Sequence, residues 1–274
     1  MPFPRIHAPE LMDEPWWPED WRRMEADFLR TFNGLIRSWT PIAGRVTALL
    51  RETGGRRIVD LCSGGGGLVL PLRDAVATSL GEPVDLVLTD LYPNPSLLPH
   101  LRDRAGITYV STPVDARAVP ADLTGLRTLC LGLHHLRPAD AAGVLADAAR
   151  ARQPIVVYEV TARSVPYAAS MVLLPALAAL LSPLSRPRSL RRMLWHTALP
   201  VVPLALGWDG FCSCLRSYEP DELRQMAQAG TAGDVDYAFE VGRERWLGVP
   251  VTWVVGRPLT AVTPHMRELH RTRG

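Results

Sequence analysis

A doubly wound α/β fold on a mostly parallel sheet is the class this sequence predicts, and three observations predict it. Short apolar runs at 57–61, 84–89, 107–110, 126–131 and 155–160 alternate with helical stretches, the pattern of strands covered on both faces. The first run ends in Asp60 and passes through Leu61-Cys62-Ser63 into Gly64-Gly65-Gly66-Gly67, a turn of small residues that opens a helix near Leu68. Two more apolar runs, 235–241 and 249–255, are separated by a polar turn and read as strands that complete the sheet.

The elements follow in order. After a Pro-rich lead, residues 19–39 carry Trp21, Met24, Phe28, Phe32, Leu35 and Ile36 at helical spacing, one apolar stripe. Pro15-Trp16-Trp17-Pro18 just before it is either a packing plug or a lid that touches a substrate. A second helix at 43–52 reaches Gly54-Gly55 and the first strand. The helix at 68–80 is ended by Gly81-Glu82-Pro83, and an Ala-rich helix at 139–150 precedes the fifth strand.

One stretch departs from a minimal sheet. Between the fifth strand and Tyr218 lies an insertion with two apolar blocks, 165–182 and 193–208, around the basic residues Arg186, Arg188, Arg191 and Arg192. Pro166, Pro175, Pro200 and Pro203 interrupt the blocks, so neither offers the ~20 clean apolar residues of a spanning helix. We expect a helical cap that buries its apolar side on the core and covers an acceptor. Weak association with a membrane surface, arginines meeting anionic headgroups, is the alternative. The expected organisation is a helical cap at 1–54, a ligand-binding core at 55–164, the apolar insertion at 165–215 and completion of the core at 216–274.

Composition narrows the chemistry. The chain has 274 residues, 47% apolar and 21% charged, with a net charge of +2, an ordinary globular balance that gives no reason to expect nucleic acid as a partner. Every basic residue other than histidine is arginine, which excludes a lysine Schiff base. Cys62, Cys130, Cys212 and Cys214 form neither a disulfide framework nor a zinc pattern. The start carries no apolar signal region, so a reducing, cytoplasmic setting is expected, and no metal.

The glycine turn decides the ligand class. A dinucleotide fingerprint needs G-x-G-x-x-G, but counting from Gly64 or Gly65 the sixth position is Val69 or Leu70. A Walker loop needs a lysine, and there is none. What fits is D-x-x-x-G-x-G, with Asp60 at the strand end and Gly64 and Gly66 in the turn. This resembles the first motif of class I S-adenosylmethionine-dependent methyltransferases, small-molecule type, although that family usually has glycine where Cys62 stands. A carboxylate suits a cofactor that carries an ammonium and a sulfonium; beside a pyrophosphate it would repel.

The resemblance implies a seven-stranded Rossmann-like sheet with an antiparallel last strand, S-adenosylmethionine as cofactor, and a set of binding positions. These are Asp60, Cys62, Ser63, Gly64 and Gly66 at the first strand, Asp90 and Leu91 at the second, Asp115 and Ala116 after the third, and Leu133 after the fourth. Asp90 would accept from the ribose hydroxyls and Asp115 from the adenine amine, the latter competing with a plain helix-cap role. His134 and His135 follow the fourth strand, where one is a candidate general base and the other a backbone partner. Glu159 and Arg163 end the fifth strand and either orient an acceptor or pair with each other. Trp208-Asp209 could grip an acceptor hydroxyl or amine, or mark a helix stop; Trp16 and Trp17 join the candidate acceptor contacts. The expected function is methylation of a small, rather apolar acceptor at O, N or C. The alternatives are a lyase or cyclase that keeps the cofactor for its charge, and a non-catalytic cofactor-binding subunit. Oligomeric state is open.

Overall fold

The computed structural model describes residues 3–64, 66–93, 101, 104–185, 190–231 and 236–259, and of Arg192 the backbone. Helix α1, Glu19–Ile36, starts behind Pro18 with Glu19 and Asp20 in its first turn, where acids suit the helix dipole. It ends three residues before the expected boundary because Arg37 turns left-handed, φ 49°. Helix α2, Thr40–Thr53, stops at Gly54 with φ 67°, a glycine left-handed cap.

Strand β1, Arg57–Leu61, leads through the glycine turn to α3, Val69–Leu80. Then come β2, Asp85–Leu88, β3, Ile107–Tyr109, and β4, Leu126–Cys130. A short 3-10 turn, Leu133–His135, precedes α4, Pro138–Arg150, and β5, Ile155–Glu159. The insertion supplies α5, Val165–Ser170, α6, Leu174–Leu181, α7, Leu190–Met193, and α8, Val201–Arg216. Helix α9, Pro220–Gly230, and the pair β6, Tyr237–Trp246, and β7, Val249–Pro258, complete the chain. The expected start of β6 at residue 235, the basic residues Arg186 and Arg188, and Gly65 lie outside the described residues.

The seven strands form one sheet in the order β3-β2-β1-β4-β5-β7-β6. β1 to β5 run parallel, and β7 runs antiparallel between β5 and β6. Both faces are dry. Ile42, Val46, Leu50, Leu72 and Val76 of α2 and α3 cover one, and Val144, Leu145 and Ala148 of α4 with Leu223 of α9 cover the other. The strand order reverses between β1 and β4, so the crevice at their carboxyl ends is the place where such sheets bind ligands.

Two features correct the expectations for the insertion. Its inner side does pack: Ala178, Val202 and Leu206 join Met24 and Phe28 in a satellite core. Its outer side does not. Val165–Leu184 is a helical run of 20 residues, long and apolar enough to cross a bilayer, yet of these only Ala168, Ala178 and Ser182 are buried. Val172, Leu173 and Leu180 are 76%, 67% and 74% exposed. Second, Trp208-Asp209-Gly210-Phe211 is no helix stop but lies inside α8. Gly207 and Gly210 are small there because the α5–α6 run presses on them. A Cβ on Gly207 would stand 2.6 Å from the Pro175 ring, and one on Gly210 3.0 Å from the Met171 sulfur.

The leader is a strap laid along α8. The Ile6 N–H donates to the Leu215 carbonyl at 3.1 Å. The Arg216 guanidinium donates to the Ala8 carbonyl, and the Trp208 indole N–H to the Pro9 carbonyl at 3.0 Å. The Asp209 carboxylate accepts from the Leu11 and Met12 amides at 2.6 and 3.0 Å. Asp209 thus caps the leader's first turn in place of the missing helix partners of those amides.

Candidate functional site

At the switch point Asp60 is 3% exposed. Its Oδ1 accepts from the Thr128 hydroxyl of β4 at 2.6 Å. Its backbone carbonyl accepts from the Ser63 and Thr89 hydroxyls at 3.0 and 2.8 Å and from the Thr89 amide at 2.9 Å. Burial pushes the Asp60 carboxyl up to about 7 despite the Thr128 and Ser63 bonds. Among the described residues no cationic side chain contributes to that balance.

The turn that follows is left-handed at alternate positions, with φ 55° at Cys62, 48° at Gly64 and 65° at Gly66. This gives the physical reason for glycine at such places: a Cβ in the left-handed region crowds the following carbonyl, costing roughly 1–2 kcal/mol. Cys62 bears that strain. Burial first, then Asp90, push its thiol up to about 12, so it contributes bulk and not a thiolate. The Asp90 carboxylate stitches β2 to the turn. Its Oδ2 accepts from the Gly64 amide at 2.8 Å and its Oδ1 from the Tyr92 amide at 2.9 Å. Leu91 beside it is 39% exposed.

Asp115 stands half-buried after β3, in a two-pronged pair with Arg117 whose nearest contact is 2.7 Å, and it also accepts the Arg117 amide at 2.9 Å. The Arg117 hydrogen bonds hold its carboxyl below the usual range. Ala116 is buried under it. A turn and not a helix follows Asp115, so the helix-cap expectation is corrected, and the ion pair uses the same carboxylate that an adenine amine would share.

The histidines part company. His134 is 5% exposed, and its Nδ1 lies 2.7 Å from Glu159 Oε2. The other Glu159 oxygen accepts the Leu133 amide at 2.7 Å and the His134 amide at 3.4 Å. Glu159 thus pairs with His134 and not with Arg163, which turns away to Glu222 at 2.8 Å. Arg163 is 5% exposed, and its Nε and Nη1 meet no protein acceptor. The Nε2 of His134 faces Glu10 at 4.0 Å. His135 lies against the strap instead, its Nδ1 3.1 Å from Asp13 Oδ2. Burial opposes its charge, but the Asp13 hydrogen bond and Glu10 outweigh that and raise it to about 9.

The ligand atoms of Glu10, His134 and His135 come within 4.8 Å of one another, a spacing that could hold a metal ion. Arg216 supplies the positive charge there: its Nη1 stands 3.3 Å from Glu10, 2.6 Å from Asp13 and 3.3 Å from His135 Nδ1. Arg5 closes the same corner, donating to the His134 and Leu136 carbonyls at 3.0 and 2.9 Å.

The aromatic candidates fall elsewhere. Trp17 is 7% exposed and donates its indole N–H to Glu25 at 2.9 Å, a packing plug, whereas Trp16 is 66% exposed. Trp208 and Asp209 bind the leader's backbone, so their polar groups hold the strap. Glu10, Asp13, Arg216 and Thr128 were not read from the sequence. Thr128 carries a weak signal, a polar residue within an apolar strand; the other three carry none.

No protein-family model matches the chain, and no curated protein matches it in sequence. Among solved structures it is similar to the plantazolicin methyltransferase BpumL in complex with SAH, at 11% identity and TM-score 0.57, over 90% of this chain and 94% of that one. BpumL with a pentazolic desmethylPZN analog and SAH gives 11% identity and TM-score 0.49, over 88% and 99%. An O-methyltransferase family protein from Burkholderia thailandensis gives 15% and 0.45, over 84% and 59%. The first match carries the comparison, and the two below 0.5 add nothing to it. With its strand order, its reversed β7 and the turn after β1, the chain has the fold of the class I S-adenosylmethionine-dependent methyltransferases.

Proposed function

We propose that this chain is an S-adenosylmethionine-dependent methyltransferase acting on a small, rather apolar acceptor. The observation that carries the reading is Asp60, a carboxylate buried at the switch point whose pKa is pushed up to about 7, with no cationic side chain among the described residues to offset its burial. A cationic ligand is what such a group lacks, and S-adenosylmethionine brings an ammonium and a sulfonium but no phosphate. Asp90 fits the ribose, since each of its oxygens has spare lone-pair capacity beyond the Gly64 and Tyr92 amides. The SAH in the BpumL structure agrees with this choice of cofactor.

When bound, the cofactor supplies a methyl carbon already activated by its sulfonium. The chain's own residues then have two tasks, alignment and proton removal. Holding reactants in line is worth on the order of 7–11 kcal/mol, and the strap and α8 keep water from the β4 and β5 ends. For the proton, His134 is the base and His135 is not. Nδ1–H of His134 donates to Glu159, which leaves Nε2 as the acceptor. His135, raised to about 9, carries its proton at neutral pH.

Calorimetry tests the cofactor arm. Asp90→Ala should weaken S-adenosylmethionine binding about ten- to a hundredfold with the fold intact; unchanged affinity sinks the ribose assignment. His134→Gln should lower turnover by about 10²–10⁴ while cofactor affinity stays within about threefold. Cofactor binding with no gain of one methyl on any acceptor, read by mass spectrometry, would move the assignment to a non-transferring lyase or cyclase.

A further inference from the structure

Among the described residues the outer face of the insertion has no partner. Val172, Ala176, Leu180 and Leu184 follow one another at steps of four residues, and all four are exposed, a stripe along one side of the α5–α6 run. Leu173 widens it, and Leu190 and Met193 of α7 add 86% and 54% exposed apolar side chains. Scattered apolar residues on a surface are ordinary, but a contiguous face marks an interaction site.

We propose that this face docks on the surface of an anionic lipid bilayer, lying in the interface without crossing it. The charge of the stretch selects the occupant. Between Glu159 and Asp209 the sequence has no acidic residue and five arginines. Arg163 is buried against Glu222 and Arg191 pairs with Asp20 of α1 at 2.5 Å, which leaves Arg186, Arg188 and Arg192 as the excess positive charge of the stretch. An apolar face in a basic stretch is the composition that binds anionic headgroups. A second copy of the chain is the poorer partner, because each copy would bring the same excess of arginine, offset among the described residues only by Asp20 on Arg191 and Glu222 on Arg163.

Aromatic rings point the same way. Trp16, 66% exposed, begins a chain of rings through Trp17 and Trp21 to Trp195 beyond α7, with centroid steps of 5.8, 5.0 and 5.1 Å. Exposed tryptophan suits the boundary between headgroup and hydrocarbon.

The same structure argues against crossing. Pro166, Pro175 and Pro183 split the 20-residue run into short helices and 3-10 turns. Its inner side is fixed to α8 by the Gly207–Pro175 and Gly210–Met171 contacts. The run lies flat on its own protein and presents one side outward. This inference stands on the exposed face and does not depend on the methyltransferase reading.

The test is co-sedimentation of the full chain with vesicles of phosphatidylglycerol and phosphatidylcholine, beside vesicles of phosphatidylcholine alone. Wild type should bind the anionic vesicles about tenfold or more tightly than the neutral ones. The double variant Leu173→Ser/Leu180→Ser should lose about tenfold or more of that binding with an unchanged melting temperature. Leu190→Ser, on a separate helix, gives an independent arm and should weaken binding in the same direction. Wild type left in the supernatant with anionic vesicles overturns the proposal, as does full binding by the double variant. A wild-type dimer in light scattering that the double variant dissolves, without vesicle binding, assigns the face to a second copy and overturns it too.

Discussion

The sheet and the insertion are built from the same apolar letters and treat them in opposite ways. Ile58, Leu86 and Leu129 in the strands are wholly buried, while Leu173, Leu180 and Leu190 in the insertion stand 67%, 74% and 86% exposed. Both regions are apolar in sequence, yet only the first spends that character on its own stability. Burying a leucine side chain is worth about 1.5–3 kcal/mol, so leaving several in water implies that their value lies in contact with something outside the chain.

The largest expected effect sharpens this contrast on the sheet side. Leu129→Ala in β4 should cost about 2–5 kcal/mol in urea unfolding, since it opens a cavity in a dry layer. A loss under about 1 kcal/mol would mean that the sheet is as tolerant as the insertion.

Next comes the pH dependence of the buried carboxyls and His135. Glu25 is wholly buried, and burial, with Asp209 nearby, raises its carboxyl to about 8. Asp60 is raised to about 7 and His135 to about 9. All three bind protons more tightly folded than unfolded. Their contributions are full below the unfolded values and are lost as pH rises through the folded ones. Thermal stability should therefore decline from about pH 5 to pH 9. Glu25→Gln should flatten the fall between about pH 4.5 and 8; an unchanged slope would show that Glu25 meets water.

A smaller effect probes the strap. Asp209→Ala removes the acceptor for two leader amides and should cost about 1–3 kcal/mol. Proteolysis should then cut the leader before the sheet; simultaneous cleavage would show that strap and sheet open as one unit. The smallest effect closes the comparison: Leu180→Ala should change stability by no more than about 0.5 kcal/mol.

The ends of the strands were legible because each apolar run stops at a chemically distinct residue. Asp60, Asp90 and Glu159 stand within two residues of their strand ends and His134 four residues past β4, and the left-handed turn explains why glycines sit at 64 and 66. What surrounds the histidines was not legible. Glu10 and Asp13 belong to a Pro-rich leader without periodicity, and they meet Arg216 about two hundred residues later only because Asp209 and Trp208 hold the leader's backbone. Gly210 misled for a related reason: it makes room for Met171 of the α5–α6 run, as Gly207 does for Pro175. A glycine that makes room for Met171 reads in sequence like one that ends a helix. The direction in which Leu173 and Leu180 face was equally hidden, since a leucine is written alike whether it meets the core or the solvent.

The strap also fixes when the site can be completed during synthesis. Leu11 waits for Asp209, a separation of 198 residues. At about 5–20 residues per second the ribosome takes roughly 10–40 s to supply that partner. Through that interval β1 to β5 emerge and can pair while the leader, made earlier, has nothing to lie along. The corner around His134 and Glu159 is therefore sealed only after α8 has been made, by a segment synthesised long before it.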